Sequence, residues 1–213
     1  MGTPPDPDPV HALIVVDLQS AFVEGEGDGT CEGGAVPDAA RVVERARELL
    51  ARARAAGAPV VHLQNDGEAG APDEPDTPGW RLVLPVRPGE AVLRKTDDDG
   101  FWETGLEALL RGHGVTAVAL CGVQSEMCVR ATAQTALDLD FRVVLPHDAH
   151  GTYDVPPAPG DTAGVPAALA ARVAEWSLGD EVEITAAARD VRFTAPFAAP
   201  VTARARPTPG TSG

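Results

Sequence analysis

The chain has 213 residues, 44% hydrophobic and 23% charged, which is enough to bury the core of one domain and excludes a disordered or collagen-like chain. Asp and Glu total 32 against 17 Lys and Arg, a net charge of −15 that repels phosphate backbones and anionic lipid, so no nucleic-acid partner and no membrane partner is expected. Three cysteines, Cys31, Cys121 and Cys128, cannot all pair with one another, and the acidic, proline-containing start lacks the basic and apolar run of a leader, so a reducing cytoplasmic address is expected.

Short apolar runs alternate with longer amphipathic stretches, the pattern of βα units around a mostly parallel sheet. The spacing predicts a strand over Ala12 to Val16 and a helix over Asp38 to Ala56 that Gly57 caps. A second strand follows over Pro59 to Leu63, then a loop from Gln64 to Gly79 and a third strand over Ala91 to Leu93. A helix is expected from Thr104, as its cap, to Arg111, and a fourth strand over Val115 to Leu120. Ser125 to Leu139 reads as a helix, Phe141 to Leu145 as the fifth strand, Gly164 to Trp176 as the last helix and Glu181 to Thr185 as a sixth, edge strand. The fold class is therefore α/β, a single Rossmann-like domain of about six strands, mostly parallel. Residues 1–10 are expected as a flexible start, 11–185 as the domain, and 186–213 as a disordered tail rich in Ala, Pro and Arg. That tail carries four Arg against one Asp, which leaves −18 on the rest of the chain.

Of the 17 basic residues 16 are Arg, and Lys95 is the one lysine. Arg replaces Lys where only a charge is needed, but not where an ammonium must share or exchange a proton, so Lys95 is a candidate for chemistry. In open parallel sheets ligands bind beyond the carboxyl ends of the strands. Asp17, Lys95 and Cys128 all emerge at such ends. Taken singly, they read as a cap, a solvated charge and a small core residue. Together they form an amide-cleaving set, with Asp17 as base, Lys95 as the cation for a thiolate, and Cys128 as nucleophile. A helix starting near Ser125 would lower the thiol pKa from its free value of about 8.5, and backbone N–H groups in the Gly122 to Cys128 turn would receive the oxyanion.

These residues resemble the isochorismatase-like cysteine hydrolases, a family with nicotinamidases and carbamoylsarcosine amidase among its members. The matching motifs are D-x-Q-x-x-F at Asp17, Gln19 and Phe22, the lysine at Lys95, and G-x-x-[ST]-x-x-C-V-x-x-T-A at Gly122, Ser125, Cys128, Val129, Thr132 and Ala133. The resemblance covers Ala12 to Thr185. It implies a triad of Asp17, Lys95 and Cys128, a thioester released by water, a cis bond between Val123 and Gln124, and an oxyanion site at the amides of Gln124 and Cys128. Nicotinamidases carry an Asp-x-His metal pair after the second strand. Here His62, Leu63, Gln64 and Asn65 stand there, so neither a metal nor another cofactor is expected. The strings VHLQNDG, TPGW, GVQSEMCV and DAHGTYD resemble most a metal-free branch, one activity of which opens the lactam of a polycationic antibiotic.

The expected partner is therefore a small-molecule amide, cationic in keeping with the acidic core, and a homo-oligomer is expected from the apolar helix faces. Phe22, Gln64, Trp80 and Trp102 are the candidate substrate contacts, with Phe101 as a further aromatic, although at least two of the aromatics should be ordinary core. His62 reads as a core histidine and His113 as surface, while His147 and His150 could line a pocket or cap a loop. Cys121 reads as packing and Cys31 as incidental. Other readings are a different small-amide hydrolase, of nicotinamide-, carbamoylsarcosine- or ureidoacid-type, a vinyl-ether hydrolase, and a silent binding scaffold. ALIVVD is not part of a nucleotide site, because the lysine lies outside any G-x-x-x-x-G-K-[ST] loop. An Asp-x-Asp phosphatase is excluded by Gln19.

Overall fold

The computed structural model describes residues 8–24, 34–160 and 162–196. The readings made on residues 1–7, on Cys31 and on the tail beyond residue 196 lie outside them. Seven strands form one parallel sheet: β1 (Ala12–Val16), β2 (Val60–Asn65), β3 (Ala91–Lys95), β4 (Ala117–Val123), β5 (Arg142–Pro146), the two-residue β6 (His150–Gly151) and β7 (Val182–Thr185). Their order is β3-β2-β1-β4-β5-β7, with β6 laid against the end of β4. The additional strand is β6, too short to leave a periodic signal.

A parallel strand covered on both faces reads as a continuous apolar run, and every residue of β1 is buried. Leu13 and Val15 face α2 (Ala39–Ala56), whose Val42, Ala46, Leu49 and Leu50 fill one core. Ala12, Ile14 and Val16 face the other core, with α3 (Leu106–Gly112) and α4 (Arg130–Asp138). Gly57 stops α2 in the left-handed region at φ +68°, its amide donating to the Arg54 carbonyl at 3.2 Å. The short α1 (Ser20–Val23) follows β1, and α5 (Ala167–Ser177) runs before β7. Among the described residues, no helix is long and apolar enough to cross a membrane.

Two expected boundaries are corrected. The helix predicted from Ser125 begins with one wide turn, Ser125–Val129, in which the Val129 amide reaches the Gln124 carbonyl at 3.1 Å before α4 takes over. Such wide turns occur mostly as single-turn insertions in α-helices, frequently at functional sites. The predicted tail is also part of the body as far as residue 196. Ala188 and Val191 are buried, and Phe193 bridges Val10, which is itself buried at the supposedly flexible start. Composition suggested a tail, but Ala and Val there fill space that the helix α2 leaves open.

The order of the strands reverses between β1 and β4, and the crevice at such a switch point is where open α/β sheets bind ligands. Gly122 makes the two strands fit. Its φ is +130°, and a Cβ there would run into the Val16 backbone.

Candidate active site

Three strand ends deliver the three predicted residues to one place. Asp17 follows β1 at φ +48°, a left-handed conformation that costs a non-glycine residue of order 1 kcal/mol. Lys95 is the last residue of β3, and Cys128 lies in the wide turn after β4. The Lys95 ammonium is 2.8 Å from Asp17 Oδ2 and 3.3 Å from Cys128 Sγ. It also donates to the Asp97 carbonyl at 3.0 Å and to Asn65 Oδ1 at 3.3 Å. Asp17 and Lys95 are both buried, whereas the Cys128 sulfur borders a cleft of about 160 Å³.

The cleft wall consists of Asp17, Phe22, Asn65, Asp73, Asp98, Val123, Gln124, Met127 and Cys128. A volume this small admits the reacting end of a molecule and leaves its bulk at the mouth. A larger hollow of about 630 Å³ lies at the amino ends of β2 and β3, lined by Arg54, Pro59 and Glu90 among others, and holds no nucleophile.

Burial raises the Asp17 carboxyl above the usual range even though Lys95 pulls it down, so Asp17 is a stronger base than an exposed carboxylate. Burial would lower the Lys95 ammonium, but the Asp17 carboxylate beside it pulls the other way, and the net shift is upward, which holds the charge in place. Burial and the Asp17 charge push the Cys128 thiol well above the ordinary thiol range, with Asp98 acting in the same direction. The expectation that a helix start makes this thiol acidic is thus corrected. Desolvation and the carboxylates outweigh the Lys95 charge. The resting sulfur is a thiol, and attack on a carbonyl requires that its proton be taken. Asp17 Oδ1 is buried without a hydrogen-bond partner and is available for that proton.

The Val123–Gln124 peptide bond is cis, and Gln124 and Cys128 both border the cleft. Of the four candidate substrate contacts, Phe22 lines the cleft and three do not. Gln64 is buried and donates to the Trp80 carbonyl at 2.9 Å. The Trp80 indole donates to Asp66 at 2.8 Å and lies under the Arg94 guanidinium. Trp102 is 60% exposed and outside the cleft. Phe101 packs on Phe141 in the core.

Three polar residues of the cleft were missed. Asn65 ends β2 and bridges the site, with Oδ1 on Lys95 and Nδ2 donating to Asp73 at 2.6 Å. Gln19 fixes Asn65 by accepting its amide at 2.7 Å, which gives that motif position a purpose. The carboxyl-end rule that found Asp17 and Lys95 could have found Asn65. Asp98 sits in a run of three aspartates that reads as a solvated face, yet its Oδ1 is 3.5 Å from the Cys128 sulfur. Thr132 of the motif accepts the Gly100 amide at 2.9 Å and so pins the loop that carries Asp98.

Histidines stand outside the cleft. His62 is buried in β2, with Nε2 on Glu90 at 3.1 Å and Nδ1 unpartnered. Gln64 and Asn65, where a metal pair would stand, are amides engaged elsewhere. Among the described residues, no three His, Cys, Asp or Glu side chains converge as a metal site, so the donor set does not fit one. His113 is exposed, Cys121 is fully buried with its thiol pushed up to about 12 by desolvation, and His147 and His150 meet Glu175 away from the cleft.

The isochorismatase domain model matches residues 11–165. The chain belongs to the isochorismatase family. It is 63% identical over 193 residues to streptothricin hydrolase of Streptomyces noursei, covering 90% of this chain and 67% of that one. The crystal structure of an isochorismatase from Pseudomonas putida KT2440 superposes with a TM-score of 0.74 at 26% identity, over 87% of this chain and 94% of that one. N-carbamoylsarcosine amidase from Thermoplasma acidophilum gives a TM-score of 0.58 at 31% identity, over 65% of this chain and 82% of that one.

Proposed function

We propose that the protein is a cysteine amidohydrolase that opens a cyclic amide, with the streptothricin lactam as substrate. The contact of Asp17, Lys95 and Cys128 at the wall of one cleft is the observation that carries this reading. The chain acts on carbon–nitrogen bonds, in keeping with its relatives among the family's hydrolases. Streptothricin hydrolase is named for its substrate, and 63% identity over most of this chain supports the same substrate here.

In this reading Cys128 Sγ attacks the lactam carbonyl while its proton passes to Asp17. Lys95 stabilises the charge on the sulfur, and the amides of Gln124 and Cys128 receive the oxyanion. The tetrahedral intermediate collapses by breaking the C–N bond, and the proton on Asp17 goes to the departing nitrogen. Water then enters, Asp17 takes one of its protons, and hydrolysis of the thioester returns the thiol and leaves a carboxylic acid. Asp73 and Asp98 line the cleft beside Asn65, and Lys95 is buried and already paired, so the cleft favours a cationic group next to the scissile amide.

Purified protein incubated with streptothricin should add the mass of one water to it, and Cys128→Ala should abolish that gain. Loss of ammonia from primary amides with streptothricin untouched would assign another amidase activity. Persistence of either reaction in the Cys128→Ala variant would overturn the thioester mechanism.

A further inference from the structure

Behind the nucleophile lies a chain of buried polar groups that the reaction above does not use. Ser125, the first residue of the wide turn, has its hydroxyl 2.8 Å from His150 Nδ1. His150 Nε2 is 3.0 Å from Glu175 Oε1, and Ser125, His150 and Glu175 are each no more than 2% exposed. They come from three separate elements, the turn after β4, the short strand β6 and the helix α5.

Three buried polar side chains are costly to place together unless each is satisfied, and these are. Burial would raise the Glu175 carboxyl, but hydrogen bonds from His150 and His147 more than offset it and keep it ionised. An ionised carboxylate only accepts, so His150 donates from Nε2, which turns Nδ1 to the Ser125 hydroxyl within hydrogen-bond distance. His147 reaches the same Oε1 at 2.6 Å, and Arg172 reaches Oε2 at 3.4 Å. At two residues β6 is too short to add much sheet, but its pairing with Gly122 and Val123 sets His150 beside the turn. A second tie comes from the same segment. Thr152, two residues on, donates to Glu126 Oε1 at 2.8 Å. The first two residues of the turn are thus clamped from one side, while Met127 and Cys128 face the cleft on the other.

We infer that His150 and Glu175 are positioning residues which, through Ser125, hold the turn so that the Gln124 and Cys128 amides point at the developing oxyanion. The inference rests on the amidohydrolase reading above. None of the three touches substrate, since all lie outside the cleft wall. Their effect should therefore fall on the transition state, where an amide misaimed by an ångström costs up to about a hundredfold in rate.

The test uses the full chain with the turned-over amide, and compares Ser125→Ala, Glu175→Gln and the double variant. Ser125→Ala should lower kcat roughly ten- to a hundredfold with KM within about threefold, because an oxyanion contact is made only in the transition state. Alkylation of Cys128 by iodoacetamide forms no oxyanion, so its rate should stay within about twofold of wild type in Ser125→Ala. Glu175→Gln keeps an acceptor for His150 and should lose less than Ser125→Ala, and the double variant should lose no more than Ser125→Ala alone. An unchanged kcat in Ser125→Ala, an alkylation rate that falls in step with kcat, or additive losses would overturn the inference while leaving the amidohydrolase reading intact. A wild-type protein that hydrolyses no amide would instead overturn both. If Glu175→Gln fails to fold, the split between kcat and alkylation in Ser125→Ala still decides.

Discussion

Replacing Asp17 by Asn should make Cys128 a more reactive thiol and at the same time a useless catalyst. The Lys95 ammonium lies 2.8 Å from Asp17 and 3.3 Å from Cys128. Carboxylate and sulfur are then at most about 6 Å apart, where two unit charges repel by roughly 3 kcal/mol at an effective dielectric of about 20. Asn fills the same space without the charge and leaves Lys95 in need of a counter-ion, which the thiolate becomes. At a fixed neutral pH the thiolate fraction should rise roughly a hundredfold. A less basic thiolate is a weaker nucleophile, so the net gain in iodoacetamide alkylation should be about tenfold. Amide turnover should nevertheless fall at least about a thousandfold, since no group remains to take the thiol proton and deliver it to the leaving nitrogen. The assay follows alkylation of Cys128 by mass spectrometry over a range of pH, in wild type and Asp17→Asn, with Cys121 as the buried internal control. An alkylation midpoint in Asp17→Asn at or above that of wild type would refute the reasoning, as would amide turnover that survives the substitution.

Because Asp17 must be ionised to accept a proton and burial raises its carboxyl, the acid limb of kcat/KM should lie above the ordinary aspartate value near 3.9. Lys95→Met removes the charge that pulls Asp17 down, so the limb should move up by more than about two pH units; an unshifted limb would exclude Asp17 as the base. At the far end of the sheet, Glu90 is held at about 2: burial would raise it, but hydrogen bonds from Arg54, the Arg87 amide and His62 outweigh that. A depressed carboxyl stabilises the fold above its unfolded value near 4.5, and that contribution is lost as pH falls toward 2. Glu90→Gln should therefore cost about 2 kcal/mol in urea melts at neutral pH and leave a flatter acid limb of stability, with kcat unchanged.

The triad was legible in the sequence because strand ends in a parallel sheet converge by topology, and ALIVV, AVLR and VTAVAL mark three of those ends without ambiguity. The side chains around it were less so. Trp80 and Gln64 fall beside the right strand, but Trp80 turns its indole to Asp66 and Gln64 supports the Trp80 backbone, choices set by partners 14 and 16 residues away. In Asp97-Asp98-Asp99 the three residues look alike. Asp97 and Asp99 accept backbone amides within their own loop, and only Asp98 is left toward the sulfur. The thiol was misjudged because a helix start is a local signal, whereas the burial that raises the thiol, and the carboxylates from β1 and the loop after β3 that add to it, come from the packed fold. Burial of Ala188 and Val191 depends on a gap beside α2 that composition does not reveal.

One buried cation shared by a carboxylate and a thiol decides how this site must work. Lys95 can balance one negative charge, and Asp17, at 2.8 Å, already supplies it. A second charge on Cys128 would leave the buried set net negative, so the thiol keeps its proton until an acceptor arrives. Transfer of that proton to Asp17 as the sulfur attacks moves the negative charge without adding any, and the charge then flows from the sulfur onto the carbonyl oxygen. Asp98 adds to the field that keeps the thiol protonated. A substrate with a cationic group beside its scissile amide would lay that charge against Asp98 and withdraw part of the field. In the reading proposed here, then, a cation on the substrate would meet Asp98 and ease the sulfur's loss of its proton, while burial and Asp17 remain the larger restraints on it.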